Sequence, residues 1–282
     1  MADRFCLAGV MGWPVMHSRS PILHNHWMER HGLIGRYLPL AIEETGLERA
    51  LRALPALGFA GCNLTIPHKE KAMALVDHLD PTATRIGAVN CVIVQPDGSL
   101  AGTNTDGFGY IASIEEADPS WRADAGPITL LGAGGAARAI LVGLLDKGAR
   151  EIRLTNRTAD RAEALTREFG GESGGSIKTV PWSARVDALE GCAMLINSTS
   201  QGMQGKEPLS LDLSKLPPSA LVSDAVYVPM ETELLAAARA RGNRTVNGLG
   251  MLLHQARPAF QAWFGVMPEV TPDLRRMIEA TL

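Results

Sequence analysis

Short apolar runs alternate with longer stretches in which apolar residues recur every three or four positions. Runs at Phe5–Val10, Tyr37–Ile42 and Gly58–Ile66 read as strands. Between and after them lie three predicted helices: one opened by Ser20 as N-cap with Pro21 at its first position, one near Leu47–Leu57 and one over Lys69–Leu79. Val89–Gln95 and Leu100–Thr103 flank the turn cluster Pro96-Asp97-Gly98-Ser99, which predicts a hairpin and an antiparallel edge. After the helical stretch Phe108–Ala117 and the polar segment Asp118–Gly126, the alternation restarts. Strands at Pro127–Leu131, Glu151–Thr155, Ala193–Asn197 and Leu221–Val226 are spaced by helices at Ala136–Lys147, Asp160–Phe169 and Glu231–Arg241. Helices at Gly250–Phe264 and Pro272–Ala280 end the chain, and Gly170–Ser176 reads as a flexible surface loop. Such serial βα units predict mostly parallel sheets covered by helices, an α/β fold.

Composition narrows the classes. At 282 residues the chain is long enough for two compact units, and 46% hydrophobic with 20% charged residues is ordinary for a soluble globular protein. Its 27 basic residues face 30 acidic ones, whereas nucleic-acid binders show basic excess, so no nucleic-acid partner is expected. No run approaches the roughly 18 apolar residues of a membrane span, so no membrane partner is expected either. Four scattered cysteines, without a C-x-x-C pair, read as reduced thiols of a cytoplasmic protein. The apolar stretch from Phe5 to Met16 could imitate a signal peptide but is broken by Gly12 and Pro14, so no leader is expected. His24 and His26, two residues apart, do not share a helix face, and no metal is expected; His17, His24 and His68 read as local structural groups.

The clearest chemical signal follows the strand Pro127–Leu131. Gly132-Ala133-Gly134-Gly135-Ala136-Ala137 fits G-x-G-x-x-A at a strand-to-helix turn, the setting in which it binds the pyrophosphate of a dinucleotide. Gly132 would make the tight turn, Gly134 would admit backbone N–H groups to the phosphates, and Ala137 would let the helix pack closely. Where an NAD protein places an acid at the end of the next strand, this chain has Asn156, followed by Arg157, Thr158 and Arg161. Arg161 falls in a helix first turn, where a guanidinium opposes the helix dipole, so a bound 2′-phosphate is a reason for its presence. The cofactor expected is NADP. A solvated Arg paired with Asp160 or Glu163 is the plainer alternative.

Three further segments are rich in hydrogen-bonding groups. Ser18 and Ser20 flank Arg19 just before a helix, where hydroxyls and backbone donors can hold a carboxylate. Asn63 and Thr65 alternate on a strand end and so share a side, with Lys69 expected in the following helix's first turn, where the dipole would lower its pKa. Asn104-Thr105-Asp106-Gly107 begins the next helix, with Asp106 readable as its N-cap. Spacing alone does not join Lys69 to Asp106.

Read in order, these motifs resemble the shikimate dehydrogenase family along essentially the whole chain. Gly12 to Asn25 is similar to its G-x-P-x-x-H-S-x-S-P-x-x-H-N signature, Asn63 to Lys69 to N-x-T-x-P-x-K, and Ala88 to Asn90 with Asn104 to Gly107 to A-V-N and N-T-D-G. The match continues through Gly132 to Ala137, Asn156 to Arg161, Ile196 to Gly202, Asp224-x-x-Tyr227-x-Pro229 and Gly248 to Ala256. The resemblance implies an α/β substrate domain with a mostly parallel sheet, residues 1–107 and 248–282, and a Rossmann-type NADP-binding domain, residues 108–247, with a cleft between them. It implies reversible NADPH-dependent reduction of 3-dehydroshikimate to shikimate, in chorismate and aromatic amino-acid biosynthesis. Lys69 and Asp106 would be the catalytic pair. Ser18, Ser20 and Tyr227 would bind the substrate carboxylate, and Asn63, Thr65, Asn90 and Gln255 the ring hydroxyls. Gly132, Ala133, Gly134, Gly135, Ala136, Asn156, Arg157, Thr158, Arg161 and Gly248 would contact NADP. Asn247 stands where the family often has Asp, a lost charge expected to tune the site. A quinate/shikimate enzyme using NAD and a silent NADPH-binding regulatory relative are the alternatives, and a homodimer is compatible with either.

Overall fold

A computed structural model describes residues 5–171 and 175–282; the centre of the Gly170–Ser176 loop lies outside the described residues. The chain divides into two compact units, Met1–Asp106 with Leu253–Thr281, and Gly107–Leu252.

The first unit runs β1 (Cys6–Gly12), α1 (Ser20–Arg30), β2 (Gly35–Ala41), α2 (Leu47–Ala53), β3 (Phe59–Leu64), β4 (His78–Leu79), α3 (Pro81–Ile86), β5 (Cys91–Val94) and β6 (Leu100–Thr103). Its sheet order is β2-β1-β3-β5-β6-β4. β5 is antiparallel to both neighbours, while β1 pairs in parallel with β2 and β3, and β4 with β6. The hairpin expected from Pro96–Ser99 forms, but it lies inside the sheet; the edge strand beside it is β4. Met11, Leu47, Leu51, Cys62, Leu64 and Val92 belong to the buried apolar cluster beneath this sheet.

Two local expectations are corrected here. Lys69–Leu79 is not an α-helix: it is a 3₁₀ turn at Lys71–Ala74 followed by the two residues of β4. The backbone there bonds outward to β6, Asp77 N–H to Leu100 O at 2.8 Å and Asp80 N–H to Gly102 O at 3.0 Å, so sheet pairing overrides the helical spacing. Ser20 is the first helical residue rather than the N-cap, which is Arg19. The helix α3, unforeseen, has complete end signals: Asp80 Oδ1 accepts Ala83 N–H at 2.6 Å, Pro81 occupies the first turn, and Gly87 closes it with φ 74°.

The second unit holds most of α4 (Asp106–Ala117), then β7 (Ile128–Leu131), α5 (Gly135–Asp146), β8 (Glu151–Thr155), α6 (Ala159–Phe169), β9 (Ser176–Thr179), β10 (Met194–Asn197), β11 (Leu221–Asp224), α7 (Glu233–Ala240) and β12 (Arg244–Val246). All six strands are parallel, in the order β12-β11-β10-β7-β8-β9. That is the doubly wound Rossmann order, whose strand direction of growth reverses between β7 and β10. The central strands carry unbroken buried runs, Ile-Thr-Leu-Leu and Met-Leu-Ile-Asn, as a sheet covered on both faces requires. The edge strands β9 and β12 are half-polar, so neither made an apolar run in the sequence. The chain returns to the first unit along α8 (Leu249–Phe264), and α9 (Pro272–Glu279) follows. Among the described residues no helix is long and apolar enough to cross a membrane.

Candidate functional site

In the first unit the ends of β3 and β6, the approach to β5 and one turn of α8 converge on a single carboxylate. Asp106 Oδ2 accepts Lys69 Nζ at 2.6 Å, and Oδ1 accepts Asn90 Nδ2 at 2.8 Å. The Lys69 side chain is 28% exposed and that of Asp106 only 9%, so the ammonium faces outward from a carboxylate fixed at its back. The Lys69 carbonyl accepts Val89 N–H at 2.8 Å, which ties the lysine to the Ala88–Asn90 segment. No α-helix follows Lys69, so the lysine does not stand in a helix first turn as expected. Nor is Asp106 an N-cap: Asn104 Oδ1 accepts its N–H at 3.0 Å, which leaves the Asp106 carboxylate for Lys69 and Asn90.

Asn90 is the hub. Its Oδ1 accepts Thr105 N–H at 2.9 Å, which orients Nδ2 toward Asp106 and toward Gln255 Oε1 at 3.4 Å. Thr105 Oγ1 donates to the Gln255 carbonyl at 2.8 Å, so α8 is bound to this cluster through main chain as well as side chain. Asn104 and Thr105 are therefore structural members of the site that the sequence reading left unassigned, although their Asn-Thr-Asp-Gly motif marked them.

Asn63 joins from β3, its Nδ2 donating to the Asn90 carbonyl at 3.1 Å and its Oδ1 accepting the Tyr37 hydroxyl at 2.7 Å. Burial pushes that phenol above its ordinary pKa, with buried Ser20 acting in the opposite direction. Ser18 Oγ accepts Ser20 N–H at 3.3 Å. Thr65 lies half-buried against Gly12: a Cβ on Gly12 would meet Thr65 Cγ2 at 2.4 Å, so only glycine fits there. The structure thus brings Ser18, Ser20, Asn63, Thr65, Lys69, Asn90, Asp106 and Gln255 into one unit; Tyr227 belongs to the other.

His24 lies against this polar group without entering it. Its ring stacks on Tyr37 at 4.1 Å and 3° and is surrounded by Trp27, Phe260 and Trp263. Burial drops its pKa to about 3, so it is neutral packing, as expected of a structural histidine.

In the second unit the glycine-rich turn stands at the β7/β10 reversal, where doubly wound sheets bind ligands. Gly132 has φ +109°, and a Cβ there would meet Ser198 Oγ at 2.6 Å. Gly134, the N-cap of α5, makes no side-chain cap, and a Cβ on Gly134 or Gly135 would touch no protein atom within 4 Å. The turn that opens α5 therefore borders open space at Gly134 and Gly135, while Ala137 is buried. This is a fit for a dinucleotide pyrophosphate. Asn156 follows β8, its Nδ2 donating to Thr158 O at 2.9 Å, and Thr158 is the N-cap of α6. Arg157 and Arg161 are exposed, and among the described residues neither is paired, so the pairing with Asp160 or Glu163 does not occur. Gly248 donates its N–H to Val226 O at 3.0 Å, and a Cβ there would meet Ala225 O at 2.1 Å. Asn247 caps α8 through Leu249 N–H at 3.1 Å, a task Asp would do equally well.

Comparison with known proteins accords with this arrangement. Residues 10–92 match the shikimate dehydrogenase substrate binding domain, 119–204 the shikimate/quinate 5-dehydrogenase model, and 248–280 the shikimate 5′-dehydrogenase C-terminal domain. The chain is 52% identical over 278 residues to shikimate dehydrogenase (NADP(+)) of Paramagnetospirillum magneticum, covering 99% of each chain. It is 55% identical over 272 residues to the protein of that name from Rhodospirillum rubrum, covering 96% of each. Among solved structures, shikimate 5-dehydrogenase of Thermus thermophilus in complex with NADP(H) and shikimate is 34% identical, with a TM-score of 0.86 over 99% of this chain and 100% of that one. The chain therefore belongs to the shikimate dehydrogenase family, NADP-dependent oxidoreductases acting on a CH–OH group.

Proposed function

We propose that this chain reduces 3-dehydroshikimate reversibly to shikimate with NADPH, in the route to chorismate and the aromatic amino acids. The observation that carries the reading is the Lys69–Asp106 pair, set among neutral hydrogen-bonding side chains in a member of this family. When bound, the nicotinamide supplies or accepts the hydride. Reduction of a ketone builds negative charge on its oxygen, and Lys69 Nζ, beside the C3 oxygen, stabilises and protonates it; in the oxidation direction it takes the proton back. Asp106, held by Asn90, keeps the ammonium aimed. Ser18, Ser20 and Tyr227 hold the carboxylate, and Asn63, Thr65, Asn90 and Gln255 hold the ring hydroxyls.

The N-terminus of α5, with Gly132 to Ala136, would hold the pyrophosphate. Arg157 and Arg161, beside Asn156 and Thr158, would hold the 2′-phosphate, and Gly248 would contact the cofactor. The absence of an acid at position 156 favours NADP over NAD. A cytoplasmic homodimer completes the reading, its assembly measurable by light scattering on a sizing column. The decisive experiment follows absorbance at 340 nm with purified protein, shikimate and NADP⁺. Growth of the NADPH signal is expected; NADPH binding without turnover would overturn the reading.

A further inference from the structure

Asp224 closes β11 and is 1% exposed, yet among the described residues no cation pairs with it. Both of its oxygens accept from neutral donors on three separate segments. Oδ1 takes Asn197 Nδ2 at 3.0 Å and Val226 N–H at 3.0 Å, and Oδ2 takes the Thr232 hydroxyl at 2.8 Å. A buried carboxylate is costly unless its acceptor capacity is met, and burial here raises the pKa while these bonds lower it. The three donors explain why an acceptor-only group is used. An amide at this position would turn N–H toward Thr232, whose oxygen already accepts Leu235 N–H at 3.3 Å.

The donors are also informative in where they sit. Asn197 ends β10, and its Oδ1 accepts both the N–H of Thr199 at 3.0 Å and the hydroxyl of Thr199 at 2.7 Å, ordering the loop after that strand. Val226 precedes Tyr227, and its carbonyl is held by Gly248 N–H at 3.0 Å. On the other side of Tyr227, the Val228 carbonyl accepts Gln204 N–H at 2.8 Å from the β10 loop. The residues flanking Tyr227 are thus pinned, and the Asp224 side chain binds the β10 end, the Tyr227 segment and the cap of α7 together.

We propose that Asp224 is a positioning residue for the shikimate reaction, fixing the Val226–Val228 backbone so that the Tyr227 hydroxyl is presented to the substrate carboxylate. The inference rests on the role given to Tyr227 above. It is tested by steady-state kinetics of Asp224→Asn, Tyr227→Phe and the double variant, with NADPH affinity read by fluorescence titration. Loss of one or two net hydrogen bonds predicts a KM for shikimate raised about 5- to 10-fold in Asp224→Asn, with kcat within about 2-fold and NADPH affinity unchanged. In the Tyr227→Phe background the Asp224 change adds less than about 2-fold, because the group it positions is gone. A merely structural residue would add its full factor in both backgrounds, and that result overturns the proposal, as does an unchanged KM in folded Asp224→Asn. If Tyr227→Phe itself leaves KM unchanged, the role of Tyr227 fails first, and the inference falls with it. Should Asp224→Asn not fold, Thr232→Val is expected to raise KM in the same direction with Thr232→Ser restoring it; wild-type KM in Thr232→Val overturns the proposal.

Discussion

The two units hold their chemistry in opposite ways. In the mixed sheet, polar side chains from distant segments bond to one another: Lys69, Asp106, Asn90, Thr105 and Gln255 form one connected set. In the parallel sheet, the corresponding region is defined by what is missing, the Cβ atoms of Gly134 and Gly135, and by backbone groups at the start of α5. A small polyol acid must be recognised group by group, which takes preorganised side chains. A pyrophosphate needs only several N–H groups and room, which takes glycine. Substitutions in the first unit are therefore expected to act by removing groups, and in the second by filling space or removing charge.

The largest effect is expected at Lys69. Lys69→Ala should lower kcat by about 10²- to 10⁴-fold, the range of a positioned general acid, with NADPH binding and the circular-dichroism spectrum intact. Turnover near wild type would dissolve the contrast, since the side-chain network would then be scaffold.

The next effect concerns what surrounds that network. His24 is neutral in the fold at any pH above about 3, but in the unfolded chain it titrates near 6.5. Its folded pKa is depressed, so the stability it contributes is complete above 6.5 and is lost as pH falls. The loss should reach about 3 kcal/mol at pH 4.5. Urea midpoints measured from pH 7.5 to 4.5 should fall less steeply in His24→Phe than in the wild type; parallel curves would mean that the ring is not sealed from water.

In the second unit, Arg157→Ala with Arg161→Ala removes two exposed cations that have no partner among the described residues. Charge-assisted bonds to a 2′-phosphate predict a fall in kcat/KM for NADP⁺ of about 10- to 100-fold, with NAD⁺ little changed. An unchanged ratio of the two cofactors would place phosphate recognition elsewhere.

The contrast between the units also governs what the sequence could show. The glycine turn was legible because strand, turn and helix are contiguous, and the parallel core announced itself through uninterrupted apolar runs. The partners of Lys69 were not, since Asp106 lies 37 residues away and only the folded sheet sets them 2.6 Å apart. Resemblance to a family supplied the pairing that spacing could not. Periodicity misled at Lys69–Leu79, where Ala72, Leu75 and Val76 keep helical spacing but pack on the sheet while the backbone bonds to β6. Asp106 was readable from its motif alone either as a helix cap or as a reactive carboxylate; in the fold Asn104 Oδ1 accepts the Asp106 N–H, and the Asp106 carboxylate goes to Lys69.

The smallest effect is the sharpest test of space against side chains. A methyl group on Gly134 would meet no protein atom within 4 Å, and its φ of −99° suits any residue, so Gly134→Ala should leave the melting temperature within about 1 °C of wild type. Gly132→Ala is its counterpart: φ +109° and contact with Ser198 predict destabilisation without any ligand present. If the room at Gly134 belongs to the pyrophosphate, the same harmless methyl should raise the NADPH dissociation constant by about 10-fold, with the KM for shikimate unmoved at saturating cofactor. A Gly134→Ala protein that binds NADPH normally would show that the open space is simply solvent, and that the second unit, like the first, recognises its ligand through side chains.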